Sequence, residues 1–205
     1  MNIFDKINEH SSSFGVLYVQ DGAGNLILAS GRKCSESDYK MIPGTNRIAK
    51  AAFWNCVAIA SIDMSATKLT SIDAGTFGTC RNLTKIELPE GLESIGEWAF
   101  DRCPIAELDL PDSLKTIKEG AFSGNKVVQK IFMPLGLTEI ESMAFQFCNE
   151  LTSVFLPSSV VKIGKYAFWG CDKLSAILVQ QDSDVNRIKK LLPSKMRKFV
   201  KFISK

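Results

Sequence analysis

Residues 72–100 read IDAGTFGTCRNLTKIELPEGLESIGEWAF, and the pattern within this stretch returns along most of the chain. Its marker is a phenylalanine that recurs at intervals of 22 to 24 residues. Self-similarity at a period of this length is the signature of a protein built from stacked repeats. The chain contains six such units, whose marker residues are Phe53, Phe77, Phe100, Phe122, Phe145 and Phe168.

Apolar residues stand at fixed distances from each marker phenylalanine. An isoleucine precedes it by five residues in every unit, and an apolar triplet of the form L-x-x-I-x-L follows it. The I-x-L part alternates apolar and variable residues, which is typical of a strand with one buried face. A proline closes four of the six triplets and ends the strand, because it cannot donate a ladder hydrogen bond. One unit cannot enclose its own apolar face, so the units must stack to form a core.

The pattern resembles the leucine-rich repeat in its BspA-like, Treponema pallidum type, over residues 46–179. The resemblance implies a curved repeat solenoid of six units of about 23 residues, with a parallel β-sheet on its concave side. Two units depart from it: unit one has Ser65 in place of the proline, and unit three lacks one residue after Cys103. We expect the solenoid to continue through both.

Members of this family are commonly bacterial or protist proteins that contact host components, often at the cell surface. Met1 to His10 carries Asp5, Lys6 and Glu9 instead of the apolar stretch of a secretory signal. We therefore expect a cytoplasmic protein, or an effector delivered to a host cell by a signal-peptide-independent route.

Caps are expected at both ends, because a stacked solenoid exposes apolar surface there. Residues 1–45 predict an N-terminal cap made of a short helix, a β-hairpin between 14–20 and 26–29, and a connector ending at Pro43-Gly44. Residues 180–205 predict a basic amphipathic C-terminal cap or tail. Its first helix begins near Asp182 and Asp184 and ends at Pro193, and a second helical apolar face comprises Met196, Phe199, Val200 and Ile203.

Positive charge is concentrated at the C-terminus. Residues 187–205 hold eight of the 25 Lys and Arg residues and no acid, so the first 186 residues carry 17 basic against 22 acidic ones. A basic amphipathic helix either lies on an anionic membrane or forms a cap with its charged face in water. We favour the cap, keep membrane contact as the alternative, and consider nucleic acid the weaker partner because aromatic residues do not interleave with the basic ones. The candidates for membrane or anion contact are Arg187, Lys189, Lys190, Lys195, Arg197, Lys198 and Lys201.

Five of the six cysteines fall at one repeat position, three residues after the phenylalanine. The fourth unit has Asn125 there, which cannot complete a disulfide, so we predict a buried ladder of reduced thiols in a reducing compartment. Cys34 lies outside this register, where an exposed side chain is expected. With His10 as the only histidine and no C-x-x-C motif, we predict no metal, no cofactor and no enzymatic activity.

The strand residue just before the last apolar position of each unit is expected on the open concave face. Three acids in the first half and a contiguous exposed apolar stripe in the second half indicate a contact surface for a protein or peptide. The alternative is that the basic tail folds back over part of the stripe, Leu178 above all. The candidate partner-binding residues are Asp63, Glu87, Asp109, Phe132, Phe155 and Leu178.

Overall fold

The computed structural model describes residues 9–11, 15–180 and 184–203. Over these ranges the chain is a β-solenoid of short parallel strands, as the repeat pattern predicts. One short helix, α1 (Val185–Leu191), and a 3₁₀ segment, Ser194–Phe199, follow the last repeat. In chain order the strands are β1 (Glu9–Ser11), β2 (Leu17–Gln20), β3 (Leu26–Ser30), β4 (Asp38–Lys40), β5 (Arg47–Ile48), β6 (Ser61–Asp63), β7 (Ser71–Ile72), β8 (Lys85–Glu87), β9 (Ser94–Ile95), β10 (Thr116–Ile117), β11 (Lys130–Phe132), β12 (Glu139–Ile140), β13 (Ser153–Phe155), β14 (Lys162–Ile163), β15 (Ala176–Gln180) and β16 (Val200–Ile203).

Two walls of parallel strands enclose the core. The concave wall contains the I-x-L strands and is divided into two sheets, β4-β6-β8 and β11-β13-β15-β16. The opposite wall is one unbroken sheet of two-residue strands in the order β7-β9-β10-β12-β14. Its register aligns the isoleucines that precede the marker phenylalanines of repeats two to six, so equivalent residues of these repeats lie side by side.

The six marker phenylalanines form a continuous stack between the walls. Neighbouring ring centroids are 5.1 to 5.6 Å apart and the planes differ by 5 to 17°. The first five rings are fully buried, and Phe168 at the end of the stack is nearly so. Offset stacking at this separation adds stabilisation to the burial of the rings.

Each phenylalanine lies in a tight turn with two left-handed residues, two positions before and two positions after it. Four of these twelve residues are glycines, and the other eight carry side chains along one flank of the solenoid. The positions before the phenylalanine are Ala51, Gly75, Trp98, Gly120, Met143 and Tyr166, and those after it are Asn55, Thr79, Arg102, Gly124, Phe147 and Gly170.

The cysteines form the predicted ladder of free, buried thiols. The Sγ of Cys80 donates to the Phe53 carbonyl at 3.1 Å, and Cys103, Cys148 and Cys171 make the same bond to the phenylalanine carbonyl one repeat earlier. The expectation for Cys34 is wrong: it is buried and its carbonyl accepts from Cys56 Sγ, so it belongs to the ladder.

Asn125 interrupts the ladder in the fourth repeat. Its Oδ1 accepts a long hydrogen bond from the Val128 amide at 3.4 Å, while its buried Nδ2 has no partner in the part of the chain that is described. A buried donor left unpaired costs more than a typical hydrogen bond contributes. The fourth repeat is therefore the weakest rung of the ladder.

The N-terminal hairpin is confirmed, since β2 pairs with β3 in antiparallel fashion. A short helix is also predicted before the hairpin; residues 9–11 there form the strand β1 instead, and residues 1–8 and 12–14 lie outside the described residues. An unpredicted strand, β4, pairs with β6 and extends the concave wall. Tyr39 in β4 packs against Phe53 with its ring centroid 5.8 Å away and so closes this end of the phenylalanine stack.

The first part of the C-terminal cap agrees with the prediction and the second part does not. Helix α1 begins after Asp184, whose carboxylate accepts from the Arg187 amide, and Ile188 and Leu192 are buried. The prediction of a second amphipathic helix is wrong. Its residues form the 3₁₀ segment and then the strand β16, which pairs with β15. The open backbone edge of β15 explains the difference, because ladder hydrogen bonds outweigh a weak helical pattern.

Replacing Asn125 with cysteine is expected to raise the free energy of unfolding by about 1 kcal/mol, because the unpaired amide donor disappears and a thiol can donate to the Phe100 carbonyl. The matched control, Cys103→Asn, places an amide in an intact rung and is expected to lower it by about 1–3 kcal/mol. Urea unfolding of the three proteins measures both changes. A loss of stability in Asn125→Cys would contradict the assignment of Asn125 as a defect.

Candidate functional site

The concave face carries the central row of residues that the repeat pattern predicts. Asp63 lies opposite Glu87 in paired strands, and Phe132, Phe155 and Leu178 are aligned across three strands. Asp109 lies between the two groups, in a segment that forms no strand. The row is therefore acidic on one side of repeat three and apolar on the other.

Two of the three acids are already paired. Lys40 Nζ lies 2.7 Å from Asp63 Oδ2, and Lys85 Nζ lies 2.7 Å from Glu87 Oε1. Hydrogen bonds from Lys40 and Ser65 lower the pKa of Asp63 to about 2. Asp109 has no ion pair or side-chain hydrogen bond within the described ranges, so its carboxylate is available to a ligand.

The apolar half is not the contiguous exposed stripe that the sequence predicts. Phe132 is 65% exposed, whereas Phe155 is only 8% exposed and Leu178 is half-buried. Phe155 has paired strands on both sides, while β11, which carries Phe132, has a strand on one side only. Phe132 is therefore the one residue of this half that offers a broad apolar surface.

The concave sheet breaks at repeat three. The turn after Cys103 is one residue shorter than in the other repeats, and the Ile105 amide donates to the Cys103 carbonyl two residues back. In repeats two, five and six, the backbone amide of the corresponding leucine donates to the carbonyl of the cysteine three residues back. Within residues 15–180, the backbone groups of 107–110 make no hydrogen bond, so β8 and β11 each end a sheet beside them. The solenoid continues through this deletion, as the sequence predicts, but its concave sheet is interrupted there.

Two clefts lie on either side of the unpaired segment. The larger, of about 510 Å³, is bordered by Glu107, Asp109, Lys130 and Phe132. The smaller, of about 280 Å³, is bordered by Glu87, Glu90 and Asp109 on its polar side. Free backbone donors and acceptors, unpaired carboxylates and an exposed aromatic ring thus meet at one place.

The basic C-terminal residues divide into two groups. The Arg187 guanidinium donates to the carbonyls of Val160 and Ser158 and clamps α1 onto the solenoid, so this residue belongs to the cap. Arg197 donates to the Leu192 carbonyl, and Lys198 lies 5.0 Å from the centroid of the Phe199 ring. The apolar face of α1 packs on the last repeat, so any membrane contact by Lys189, Lys190, Lys195 and Lys201 would be electrostatic; that contact stays a prediction.

The chemistry of the described residues gives no sign of a reaction centre. Burial raises the pKa of the Cys34 and Cys56 thiols, which keeps them protonated and poorly nucleophilic. Within the described ranges, no three His, Cys, Asp or Glu side chains are grouped so that they could hold a metal ion. No helix there has the length and apolar character needed to span a membrane.

A family model described as the BspA type leucine rich repeat region matches residues 46–175 in six copies. The fold is similar to the crystal structure of the T. pallidum leucine-rich repeat protein, with a TM-score of 0.76, 24% identity, and coverage of 96% of this chain and 100% of that one. No curated protein matches the chain.

Two longer solved proteins are also similar. A leucine rich cell surface protein from Faecalibacterium prausnitzii A2-165 matches with a TM-score of 0.59 and 24% identity, over 89% of this chain and 42% of that one. A leucine-rich repeat protein from Bacteroides ovatus ATCC 8483 matches with a TM-score of 0.56 and 21% identity, over 89% of this chain and 62% of that one. At these identities the similarity shows the fold.

Asp63→Asn is expected to lower the free energy of unfolding by about 1 kcal/mol near neutral pH, through loss of the Lys40 ion pair. Since the folded pKa of Asp63 is about 2 against an ordinary 3.8, its contribution is complete above about pH 4 and disappears as the pH falls through 2. Urea unfolding over this pH range, with the exposed Asp112→Asn as control, measures the difference. A deficit that stays constant down to about pH 2 would refute the assignment.

Proposed function

This chain belongs to the BspA-type leucine-rich repeat family, and on that premise we propose that it binds an extended, positively charged segment of a partner protein on its concave face at repeat three. Proteins with this repeat fold generally mediate protein–protein interaction and are typically non-enzymatic binding modules. The observation that supports the position of the site is the break in the concave sheet, which leaves backbone groups unpaired beside Phe132 and Asp109.

The backbone at the break favours an extended ligand. The amides and carbonyls of residues 107–110 lack partners within the solenoid, and an extended peptide offers complementary groups at regular intervals. Main-chain hydrogen bonds of this kind contribute affinity without demanding a particular sequence. Specificity would then come from the side chains around the two clefts.

Charge at the break favours a basic ligand. Four carboxylates border the two clefts, those of Glu87, Glu90, Glu107 and Asp109, whereas the one cation among the lining residues, Lys130, borders only the larger cleft. Lys85 already neutralises Glu87, so the remaining carboxylates give the site a negative potential. Complementary charge of this kind speeds association and selects against acidic partners.

Phe132 is the proposed aromatic anchor of the site. Aromatic residues are enriched among the few interface positions that carry most of the binding free energy. Because its ring is mostly exposed, burial against an apolar residue of the ligand would gain contact area without disturbing the core. Phe155, by contrast, is already covered and contributes to packing.

Phe132→Ser is expected to weaken peptide binding by tenfold or more while changing the free energy of unfolding by less than about 1 kcal/mol. A random linear peptide library displayed on phage, selected on the wild-type protein, supplies the ligands. The selected peptides should be rich in Lys and Arg and should bind Leu135→Ser, an equally exposed apolar control in the same repeat, as they bind wild type. Peptides that bind Phe132→Ser without loss, or that carry no excess of basic residues, would refute this site.

We also propose residence in a reducing compartment, either the cytoplasm or the interior of a host cell. The six free cysteines support it, because neighbouring rungs of the ladder are one strand spacing apart and would be exposed to pairing in an oxidising environment. Thiol titration under denaturing conditions, on protein isolated from its native source, should find all six cysteines reduced. Recovery of disulfide-linked cysteines would exclude this location.

A further inference from the structure

The flank that carries the left-handed turns has a cleft of its own, away from the concave face. Its volume is about 750 Å³, within the range of ligand sites, and it spans repeats two to five. The floor is formed at Gly124, where a Cβ would lie 3.0 Å from Arg102 Cγ. The walls are aromatic, with Trp98 on one side and Phe147 on the other.

The two rings are held in place by their neighbours. Trp98 lies across Gly120 so closely that a Cβ on that glycine would be 2.2 Å from the indole Cε3. Phe147 lies across Gly170 and makes an edge-to-face contact with Trp169, with ring centroids 4.9 Å apart at 69°. Both rings are therefore preorganised platforms that remain partly exposed to solvent.

Positive charge surrounds the platforms. Arg81 and Lys126 line the cleft and make no ion pair or side-chain hydrogen bond within the described ranges. Arg102 lies between them, with its Nε 3.7 Å from the largely buried Asp101 carboxylate. Burial raises the pKa of Asp101, while the neighbouring Arg102 lowers it. The cleft therefore attracts an anion.

The cations are spaced regularly along the flank. Arg81 and Lys126 occupy the same position of repeats two and four, on either side of Pro104, so their Cα atoms are about 10 Å apart at the strand spacing. A chain that carries acidic groups at intervals can pair with both side chains at once.

We propose that this flank cleft binds an acidic oligosaccharide, in which sugar rings pack on Trp98 and Phe147 and carboxylate or sulfate groups pair with Arg81, Arg102 and Lys126. The apolar C–H faces of pyranose rings suit flat, partly exposed aromatic surfaces. Guanidinium groups bind such oxyanions through paired, charge-assisted hydrogen bonds. The Gln146 amide, which has no side-chain partner in the described ranges, supplies a donor and an acceptor for sugar hydroxyls.

The nearest competing ligand is single-stranded nucleic acid, which is also a polyanion and also stacks on aromatic rings. The first 186 residues carry 17 basic against 22 acidic residues, and this acidic body disfavours a long polyanion more than a short one. We therefore favour the sugar, and the experiment decides between the two.

Isothermal titration calorimetry with a heparin-derived hexasaccharide tests the proposal. Arg81→Gln/Lys126→Gln is expected to weaken binding by about tenfold or more, since each cation contributes charged hydrogen bonds. Lys198→Gln/Lys201→Gln removes the same charge from the C-terminal segment and should leave the affinity unchanged. Trp98→Ala should also weaken binding, whereas Trp54→Ala should not, because Trp54 also lies against a glycine of the next repeat, Gly78, but does not line the cleft.

Ligand controls separate the sources of affinity. Maltohexaose should bind far more weakly than the sulfated sugar, and inorganic sulfate should not compete at equal charge concentration. Equal losses in the flank and C-terminal variants, or tighter binding of oligo-dT than of the hexasaccharide, would overturn the proposal. Phe132→Ser should retain saccharide binding, and Arg81→Gln/Lys126→Gln should retain peptide binding, so failure at one site is distinguishable from failure at the other.

Discussion

The stack of six phenylalanine rings is the constraint on which the rest of the molecule depends. Its centroid spacing of 5.1 to 5.6 Å is close to the separation of hydrogen-bonded strands, so rings and strands can repeat together over the whole length. A side chain of another size at this position would leave a cavity or force the repeats apart. The thiols reinforce the same spacing, because each links one turn to the phenylalanine carbonyl of the turn before it.

A solenoid held this firmly from within can lose a residue at its surface without losing register. The turn at Pro104 is one residue short, yet the phenylalanine stack and the wall β7-β9-β10-β12-β14 continue through repeat three. The effect of the missing residue is confined to the segment after the cysteine, where residues 107–110 form no strand and do not pair with the concave sheets. Both proposed sites border the same short turn: the concave clefts begin beyond it, and the flank cleft includes Pro104 itself.

The period of the sequence predicts the structural features that all repeats share, but it gives no information on features that occur in a single repeat. The phenylalanine period correctly placed the core, both walls and the thiol ladder, because those positions recur. It failed for Phe155, whose burial depends on a neighbouring strand on each side, and for Cys34, which stands 22 residues before Cys56 in a degenerate turn with Gly31 near the phenylalanine position. The spacing of these two cysteines was the available signal. The sequence of β16 shows no repeat pattern, because a strand that pairs with the open edge of a sheet needs only an extended backbone.

The flank shows why the repeats are not interchangeable even though their cores are. A bulky left-handed residue in one repeat lies down over a glycine in the next: Trp98 over Gly120, Arg102 over Gly124 and Phe147 over Gly170. A side chain at any of these glycines would meet the overlying residue at 2.2 to 3.0 Å. Each non-glycine residue in this conformation also costs about 1–2 kcal/mol, which the stacked core must absorb. These three pairs each match a large residue in one repeat to a glycine in the next, so those repeats cannot be exchanged freely, and the same pairs form the floor and walls of the cleft.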